Sequence, residues 1–157
     1  MKKLTWNEVE NTADKLVENI KESKFSPDYI IGVTTGGLFP LAMLAKRLEI
    51  KNILTITASK ITKDKEEIVT IRNLPNVDLQ DKKVLLVDEI AQSGKTLHKI
   101  SEIILQRYKA NELKTATLAA NGDVCEFWPN YFVLIEKGDW TMFPWEKEKF
   151  SKYDLKK

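Results

Sequence analysis

The chain has little of what secreted and membrane proteins rely on. Its 157 residues include one cysteine, Cys125, so the chain cannot form an internal disulfide, and this composition fits a reducing cytoplasm. No apolar stretch approaches the roughly 20 residues needed to cross a bilayer. Residues 1–8 are basic and then polar, which argues against a secretory signal. We therefore expect a cytoplasmic protein without a membrane span.

Charge of one sign and histidine are also scarce. The chain has 25 basic and 23 acidic residues, and a net charge of +2 is too small to imply a nucleic-acid partner. The one histidine, His98, is expected on the surface of a helix. No repeat, low-complexity segment or linker interrupts the sequence. Residues 1–157 are therefore predicted to form a single domain.

Strand patterns alternate with helical patterns along the chain. Thr5 and Glu8 form a capping box before an amphipathic helix, and two further helical patterns cover 41–48 and 97–108. The alternation predicts an α/β fold, a mostly parallel sheet with helices on both faces. Residues 68–71 alternate in polarity and predict an antiparallel excursion or hairpin. The apolar strand runs are Tyr29–Val33, Asn52–Thr57, Val84–Val87, Thr115–Ala120 and Tyr131–Ile135.

The run from Val84 to Leu97 is the most informative part of the sequence. Its four apolar residues predict a buried strand, and the carboxylates of Asp88 and Glu89 come where we expect that strand to end. A small loop, Gln92–Thr96, then leads into a helix, whose N-terminus favours a phosphate. Two carboxylates beside a phosphate suit ribose hydroxyls or a Mg²⁺ ion. A nucleotide-triphosphatase loop is excluded, because it needs glycine at position 89.

This order of elements resembles the ribose-phosphate signature of type I phosphoribosyltransferases, which bind 5-phosphoribosyl 1-diphosphate. The resemblance implies that Asp88 and Glu89 contact the ribose hydroxyls and that Glu89 is linked to Mg²⁺. It also implies that the loop wraps the 5′-phosphate, so that a larger residue at position 94 should crowd that group. The implied loop residues are Ala91, Gln92, Ser93, Gly94, Lys95 and Thr96.

Two more segments match this family in order. The resemblance implies that the loop after the first strand binds pyrophosphate, with a cis peptide at Thr35–Gly36; this loop comprises Thr34, Thr35, Gly36 and Gly37. A basic residue common at position 35 is absent, so Lys60 is the candidate that replaces it. The charged segment 59–67 corresponds to a mobile hood that closes over the diphosphate and excludes water.

The C-terminal part resembles the xanthine-guanine branch of the family. Trp140 precedes a Pro-Trp-acidic sequence at 144–146, and the resemblance implies that Trp140 stacks on a purine, with Thr141 and Met142 beside it. Two residues depart from this branch. Gln92 stands where an Asp usually manages the proton on purine N7, and Asn121 stands where a Lys usually donates to the 6-oxygen. Both departures weaken the case for a 6-oxopurine.

The sequence thus predicts a type I phosphoribosyltransferase-like fold with a hood hairpin and a small C-terminal base-binding segment. The implied activity is Mg²⁺-dependent transfer of phosphoribose to a purine, with hypoxanthine, guanine or xanthine favoured, and release of pyrophosphate. The catalytic candidates are Asp88, Glu89 and Gln92. A homodimer or homotetramer is expected from the family. Two alternatives stay open: a ligand-sensing regulator with little turnover, and a transferase for adenine or another base.

Overall fold

The computed structural model describes residues 1–138 and 140–146. Helix α1, Trp6–Glu22, begins at the predicted capping box: the Thr5 hydroxyl accepts from the Glu8 N–H, and the Glu8 carboxylate accepts from the Thr5 N–H. Helices α2, Leu38–Arg47, and α3, Lys95–Gln106, follow strands of the main sheet. None of the helices in the described part is long and apolar enough to cross a membrane.

A six-stranded sheet forms the centre of the fold, in the order β4-β3-β2-β5-β6-β7. Strands β2, β3, β5, β6 and β7 run parallel to one another, whereas β4 runs antiparallel to its neighbour β3. The predicted mostly parallel sheet and the predicted hairpin are both confirmed. The strand bounds are β2 Tyr29–Thr34, β3 Ile53–Lys63, β4 Glu66–Arg72, β5 Lys83–Ala91, β6 Glu112–Asn121 and β7 Leu134–Glu136.

Apolar side chains cover both faces of this sheet. On one face α1 and α2 bury Leu16, Ile20 and Leu44 against the sheet, and on the other α3 buries Ile100 and Ile104. Burial on both faces explains why the strand runs of the sequence are continuous rather than alternating. The central strands β2 and β5 are therefore buried along most of their length, and the acidic residues of β5 come towards its carboxyl end.

The C-terminal segment returns across the start of the chain. Strand β8, Thr141–Met142, pairs in parallel with β1, Lys2–Lys3, and a 3-10 helix, Pro144–Glu146, follows. Met142 is buried, and its carbonyl accepts from the Leu4 N–H. This small pair holds the C-terminal aromatic residues beside the carboxyl ends of the central strands.

Strand β5 is longer than the sequence predicts. We expected it to end at Val87, but it continues to Ala91, so Asp88 and Glu89 lie within the strand rather than after it. Pairing with β2 stops at Val87, whereas pairing with β6 continues to Ala91. Within the sheet, the acidic pair is therefore supported by β6 on one side only.

Candidate active site

One cavity of about 260 Å³ brings most of the predicted site residues together. It lies where the parallel strands end, which is the edge at which open α/β sheets bind ligands. Its lining includes residues from β5, the phosphate loop, the hood hairpin and the C-terminal segment. Those that the sequence singled out are Lys60, Asp88, Glu89, Ala91, Gln92, Ser93, Gly94, Thr96, Trp140 and Thr141.

The phosphate loop joins β5 to the N-terminus of α3. Gly94 is the N-cap residue with φ of +78° and has no side chain to cap the helix. The Lys95 N–H donates to Ser93 Oγ at 3.4 Å, and the N–H groups that follow it in the first turn of α3 suit an anion. The Ser93 carbonyl accepts from the N–H groups of Glu126 and Phe127 at 3.0 and 3.1 Å. These bonds brace the loop from behind. The arrangement suits a phosphate bound mainly by backbone groups.

The structure gives a reason for glycine at position 94 besides the predicted crowding of the phosphate. A Cβ atom added there would overlap the Phe127 carbonyl behind the loop, and the positive φ adds strain for any other residue. Gly94 is therefore required by the packing of the loop against residue 127, not only by access for a ligand.

Asp88 and Glu89 differ in their surroundings. Burial raises the pKa of the Asp88 carboxyl to about 8, although its Oδ1 accepts from the Glu89 N–H at 2.8 Å, and the nearby Glu89 charge raises the pKa further. The Glu89 carboxylate accepts from the Trp145 indole Nε1–H at 2.7 Å. The raised pKa favours the protonated form of Asp88 at neutral pH, and the Trp145 bond orients the Glu89 carboxylate.

The predicted pyrophosphate loop lies against Glu89. A Cβ atom added at Gly36 would overlap the Glu89 carboxylate, and one added at Gly37 would overlap the Val33 carbonyl. Within the described residues the cis peptide bond is Thr34–Thr35, so our prediction of Thr35–Gly36 is wrong by one residue. Strand β2 ends at Thr34, so the cis bond directly follows the last residue of the strand. The Thr34 hydroxyl donates to the Thr57 hydroxyl on the neighbouring strand β3.

The hood hairpin of β3 and β4 contacts the phosphate loop through a residue that the sequence analysis missed. The Ser93 hydroxyl donates to Glu67 Oε2 at 2.5 Å, and Lys60 Nζ lies 3.0 Å from Glu67 Oε1. The Ser93 bond is the main reason that the pKa of Glu67 lies below its usual value, and Lys60 lowers it further. The Glu67 carboxylate therefore already accepts the hydrogen bond of the Ser93 hydroxyl, which is the hydroxyl predicted to hold the 5′-phosphate.

Three of the four predicted base-binding residues, Asn121, Trp140 and Thr141, line the cavities of the site, and Met142 does not. Trp140 is 52% exposed and lines both the main cavity and an adjoining one that Asn121 also lines. Trp140 is therefore not a core residue. The structure does not bring Met142 to the main cavity, because its side chain is buried and β8 pairs with β1. Lys95 pairs with Glu126 at 3.5 Å, away from the lining.

Trp145 and Glu136 are two more residues that the sequence analysis left without a role. The Trp145 ring stacks on Phe39, with centroids 4.4 Å apart, while its indole N–H bonds to Glu89. Glu136 is 5% exposed and ends β7, where it accepts from Gln92 Nε2 and from the Thr141 N–H. The only sequence signal for Glu136 is an acidic residue that ends an apolar run.

The comparison with protein families decides the family. Residues 4–148 match the model described as "Phosphoribosyl transferase domain". The chain belongs to the phosphoribosyltransferase family. The predicted type I fold, the predicted family and the predicted enzyme class are thereby confirmed.

Relatives of this phosphoribosyltransferase have related names. The crystal structure of a purine phosphoribosyltransferase from Pyrococcus horikoshii Ot3 is 35% identical, with a TM-score of 0.78, and covers 91% of this chain and 92% of that one. A xanthine-guanine phosphoribosyltransferase from Vibrio atlanticus is 27% identical over 91% of this chain and 87% of its own length. The Helicobacter pylori xanthine-guanine-hypoxanthine phosphoribosyltransferase structure shares the fold, with a TM-score of 0.82, 19% identity and 98% coverage of both chains.

Proposed function

We propose that this phosphoribosyltransferase acts in purine salvage and transfers the 5-phosphoribosyl group of phosphoribosyl diphosphate to a 6-oxopurine. The proposal rests on one observation: the acidic pair, the helix N-terminus after Gly94 and the exposed indole of Trp140 line the same cavity. These three groups correspond to the ribose, the 5′-phosphate and the base of a nucleotide, respectively. The names of the relatives support a purine as the base.

The proposed roles follow the geometry. Asp88 and Glu89 bind the ribose hydroxyls, and the N–H groups of residues 92–96 with the Ser93 and Thr96 hydroxyls bind the 5′-phosphate. Thr35 and Gly36 bind the pyrophosphate, which Lys60 neutralises. Trp140 stacks on the purine.

The reaction forms a bond from a purine ring nitrogen to C1 of the ribose and breaks the bond from C1 to the diphosphate oxygen. The purine loses one proton to solvent, and pyrophosphate leaves with the bonding electrons. Gln92 cannot accept that proton as a carboxylate would. The chain therefore contributes mainly by positioning the two reactants and by stabilising the developing charge of the pyrophosphate.

A Mg²⁺ ion fits this site as a partner of the substrate. No group of three or more acidic, histidine or cysteine side chains that could hold a metal occurs among residues 1–138 and 140–146. Mg²⁺ in phosphate sites is held by one or two carboxylates, substrate oxygens and water. Glu89, with Asp88 beside it, would supply the carboxylate, and the bound ion would neutralise charge on the diphosphate.

The function is tested by incubating the protein with phosphoribosyl diphosphate, Mg²⁺ and hypoxanthine, guanine, xanthine or adenine in turn. We expect nucleotide and pyrophosphate to form in equal amounts with the 6-oxopurines. If the protein prefers adenine, the proposed base is wrong, but the proposed transfer of the phosphoribosyl group stands. Binding of phosphoribosyl diphosphate without turnover of any base would favour a sensing regulator and contradict the proposal.

Trp140→Ala tests the base end of the site separately. Loss of one stacking platform should weaken base binding by about 1–3 kcal/mol. Because Trp140 is half exposed, the free energy of unfolding should hardly change. Trp128→Ala is the matched control, since Trp128 is 46% exposed and does not line the main cavity. Equal base affinity in both variants would contradict the assignment of Trp140.

We also propose a cytoplasmic location, a single domain and a homo-oligomeric state, which follow from the family and the composition. Size-exclusion chromatography with light scattering tests the last of these, and a monomer at micromolar concentration would contradict it.

A further inference from the structure

Three polar side chains lie side by side at the carboxyl ends of adjacent parallel strands. Asn121 ends β6 and is the register partner of Glu136, which ends β7. Gln92 follows Ala91, whose register partner on β6 is Ala120. Gln92, Asn121 and Glu136 therefore form a row across three strands, which we call the amide row. Gln92 lines the main cavity, while Asn121 and Glu136 line the adjoining cavity, and Trp140 lines both.

Hydrogen bonds give the amide row a single direction. Asn121 Oδ1 accepts from the N–H groups of Asp123 and Val124 at 2.9 and 3.3 Å, so Asn121 Nδ2 is the group that faces Gln92. It donates to Gln92 Oε1 at 2.8 Å. This leaves Gln92 Nε2 to donate to Glu136 Oε2 at 3.3 Å. A carboxylate accepts and does not donate, so the row ends at Glu136.

The Glu136 carboxylate also fixes the start of the base-binding segment. Its other oxygen, Oε1, accepts from the Thr141 N–H at 2.8 Å. Glu136 is 5% exposed, and a buried carboxylate is retained where such donors compensate its lost hydration. One buried group thus accepts from the Gln92 amide that Asn121 orients, and it also holds the residue next to Trp140.

The direction of the row decides which groups it can offer to a base. Each amide nitrogen has two hydrogens, and the row uses one from Gln92 and one from Asn121. One N–H of each residue is left over, so the row offers mainly donors. Donors match the ring nitrogen and carbonyl oxygen on the edge of a 6-oxopurine better than they match the amino group of adenine.

We propose that Glu136 is a positioning residue that, together with Asn121, makes the base subsite selective for a 6-oxo over a 6-amino purine by fixing the donor direction of Gln92. This inference deepens the proposed function and rests on it. Glu136 acts through Gln92 and not on the reacting atoms. Its role is therefore visible in selectivity between bases.

Glu136→Gln tests the proposal because it keeps the shape and reverses part of the polarity. The new amide oxygen can still accept from the Thr141 N–H, but the new NH₂ group then faces Gln92 Nε2, donor against donor. If the side-chain amide of Gln92 flips, its own NH₂ group faces Asn121 Nδ2, and two donors then oppose each other at that position instead. We expect the ratio of affinities for inosine and adenosine monophosphate, measured by titration calorimetry, to fall about tenfold, the effect of one misdirected buried hydrogen bond.

A double variant, Gln92→Glu with Glu136→Gln, keeps the test valid if the single variant unfolds. The carboxylate introduced at position 92 accepts from Asn121 and from the amide introduced at position 136, so all bonds of the row are complementary. Position 92 then offers only acceptors, and we again expect a lower ratio. A purely structural Glu136 predicts a lowered thermal midpoint with an unchanged ratio in the single variant, and recovery of the midpoint in the double variant.

Glu18→Gln, on the exposed face of α1, is the matched control for the change in charge. An unchanged ratio in either folded variant of the amide row overturns the inference while leaving phosphoribosyl transfer intact. If the wild-type protein binds neither nucleotide and turns over no base, the proposed function fails first and the inference with it. The ratio of two affinities does not depend on the fraction of active protein, so these outcomes are distinct.

Discussion

Glu67 should compete with the 5′-phosphate for the phosphate loop. Its carboxylate accepts from the Ser93 hydroxyl at 2.5 Å and lies beside Lys60. The lowered pKa of Glu67 keeps it ionised at neutral pH. A phosphate that binds at Ser93 must therefore displace the carboxylate or bind next to it. Glu67→Gln removes the charge and keeps the length of the side chain, so we expect tighter phosphate binding.

The magnitude follows from either route. Displacement costs one hydrogen bond to a charged group, about 1.5–3 kcal/mol. Binding alongside costs the repulsion of two charges about 5 Å apart, about 3 kcal/mol at an effective dielectric constant of about 20. The two penalties are alternatives and do not add. Since Glu67 is partly exposed and regains hydration on displacement, we expect a net gain of about 1–2 kcal/mol, roughly 5- to 30-fold in affinity.

Calorimetric titration with ribose 5-phosphate is the sharpest assay. This ligand has the ribose and the phosphate but no diphosphate, so the freeing of Lys60 in the variant does not add a contact. Glu66→Gln is the matched control, because Glu66 is the exposed preceding residue on β4. Equal or weaker binding of ribose 5-phosphate by Glu67→Gln, relative to the control, would refute the reasoning.

Two further predictions concern the acidic pair. Trp145→Phe keeps an aromatic ring against Phe39 but removes the N–H that donates to Glu89. In calorimetry, the affinity for phosphoribosyl diphosphate with Mg²⁺ should therefore fall about tenfold, while the thermal midpoint changes little. A large loss of stability with unchanged affinity would contradict this prediction. Because the pKa of Asp88 is raised to about 8 in the folded state, folding binds a proton that the unfolded chain releases above about pH 4. The free energy of unfolding should therefore decrease from pH 4 to pH 8 by at most about 1.4 kcal/mol per pH unit, and urea titrations of Asp88→Asn should lack this slope; equal slopes in both proteins would show that another group is responsible.

Local patterns in the sequence were sufficient for most of the fold. The capping box at Thr5 and Glu8 marks the start of α1, and the run Val84–Val87 lies within β5. The end of β5 could not be predicted, because it depends on pairing with β6, whose last paired residue, Ala120, lies 29 positions further along the chain. Asp and Glu are poor strand residues, so their place in β5 reflects the neighbouring strand rather than local preference.

The site residues that the sequence analysis missed are those that act on other side chains. Glu67 contacts Ser93, Glu136 contacts Gln92, and Trp145 contacts Glu89 across 26, 44 and 56 positions. No periodicity within a single element predicts such pairs. The family pattern indicated residues that contact a ligand, such as Trp140, but it assigned no role to the residues that position them.

The amide row nevertheless shows what a closer inspection of the strand ends could have found. In a parallel sheet the polar residue that follows each apolar run emerges at the same edge, so Gln92, Asn121 and Glu136 were all candidates for one cluster. Gln92 and Asn121 stand where the family has charged residues, whereas no motif includes Glu136. Both departures from the family pattern lie in one row with this buried carboxylate. The base that the protein prefers should therefore depend on these three residues together, and a substitution of Gln92 alone would leave its partner Glu136 facing the wrong group.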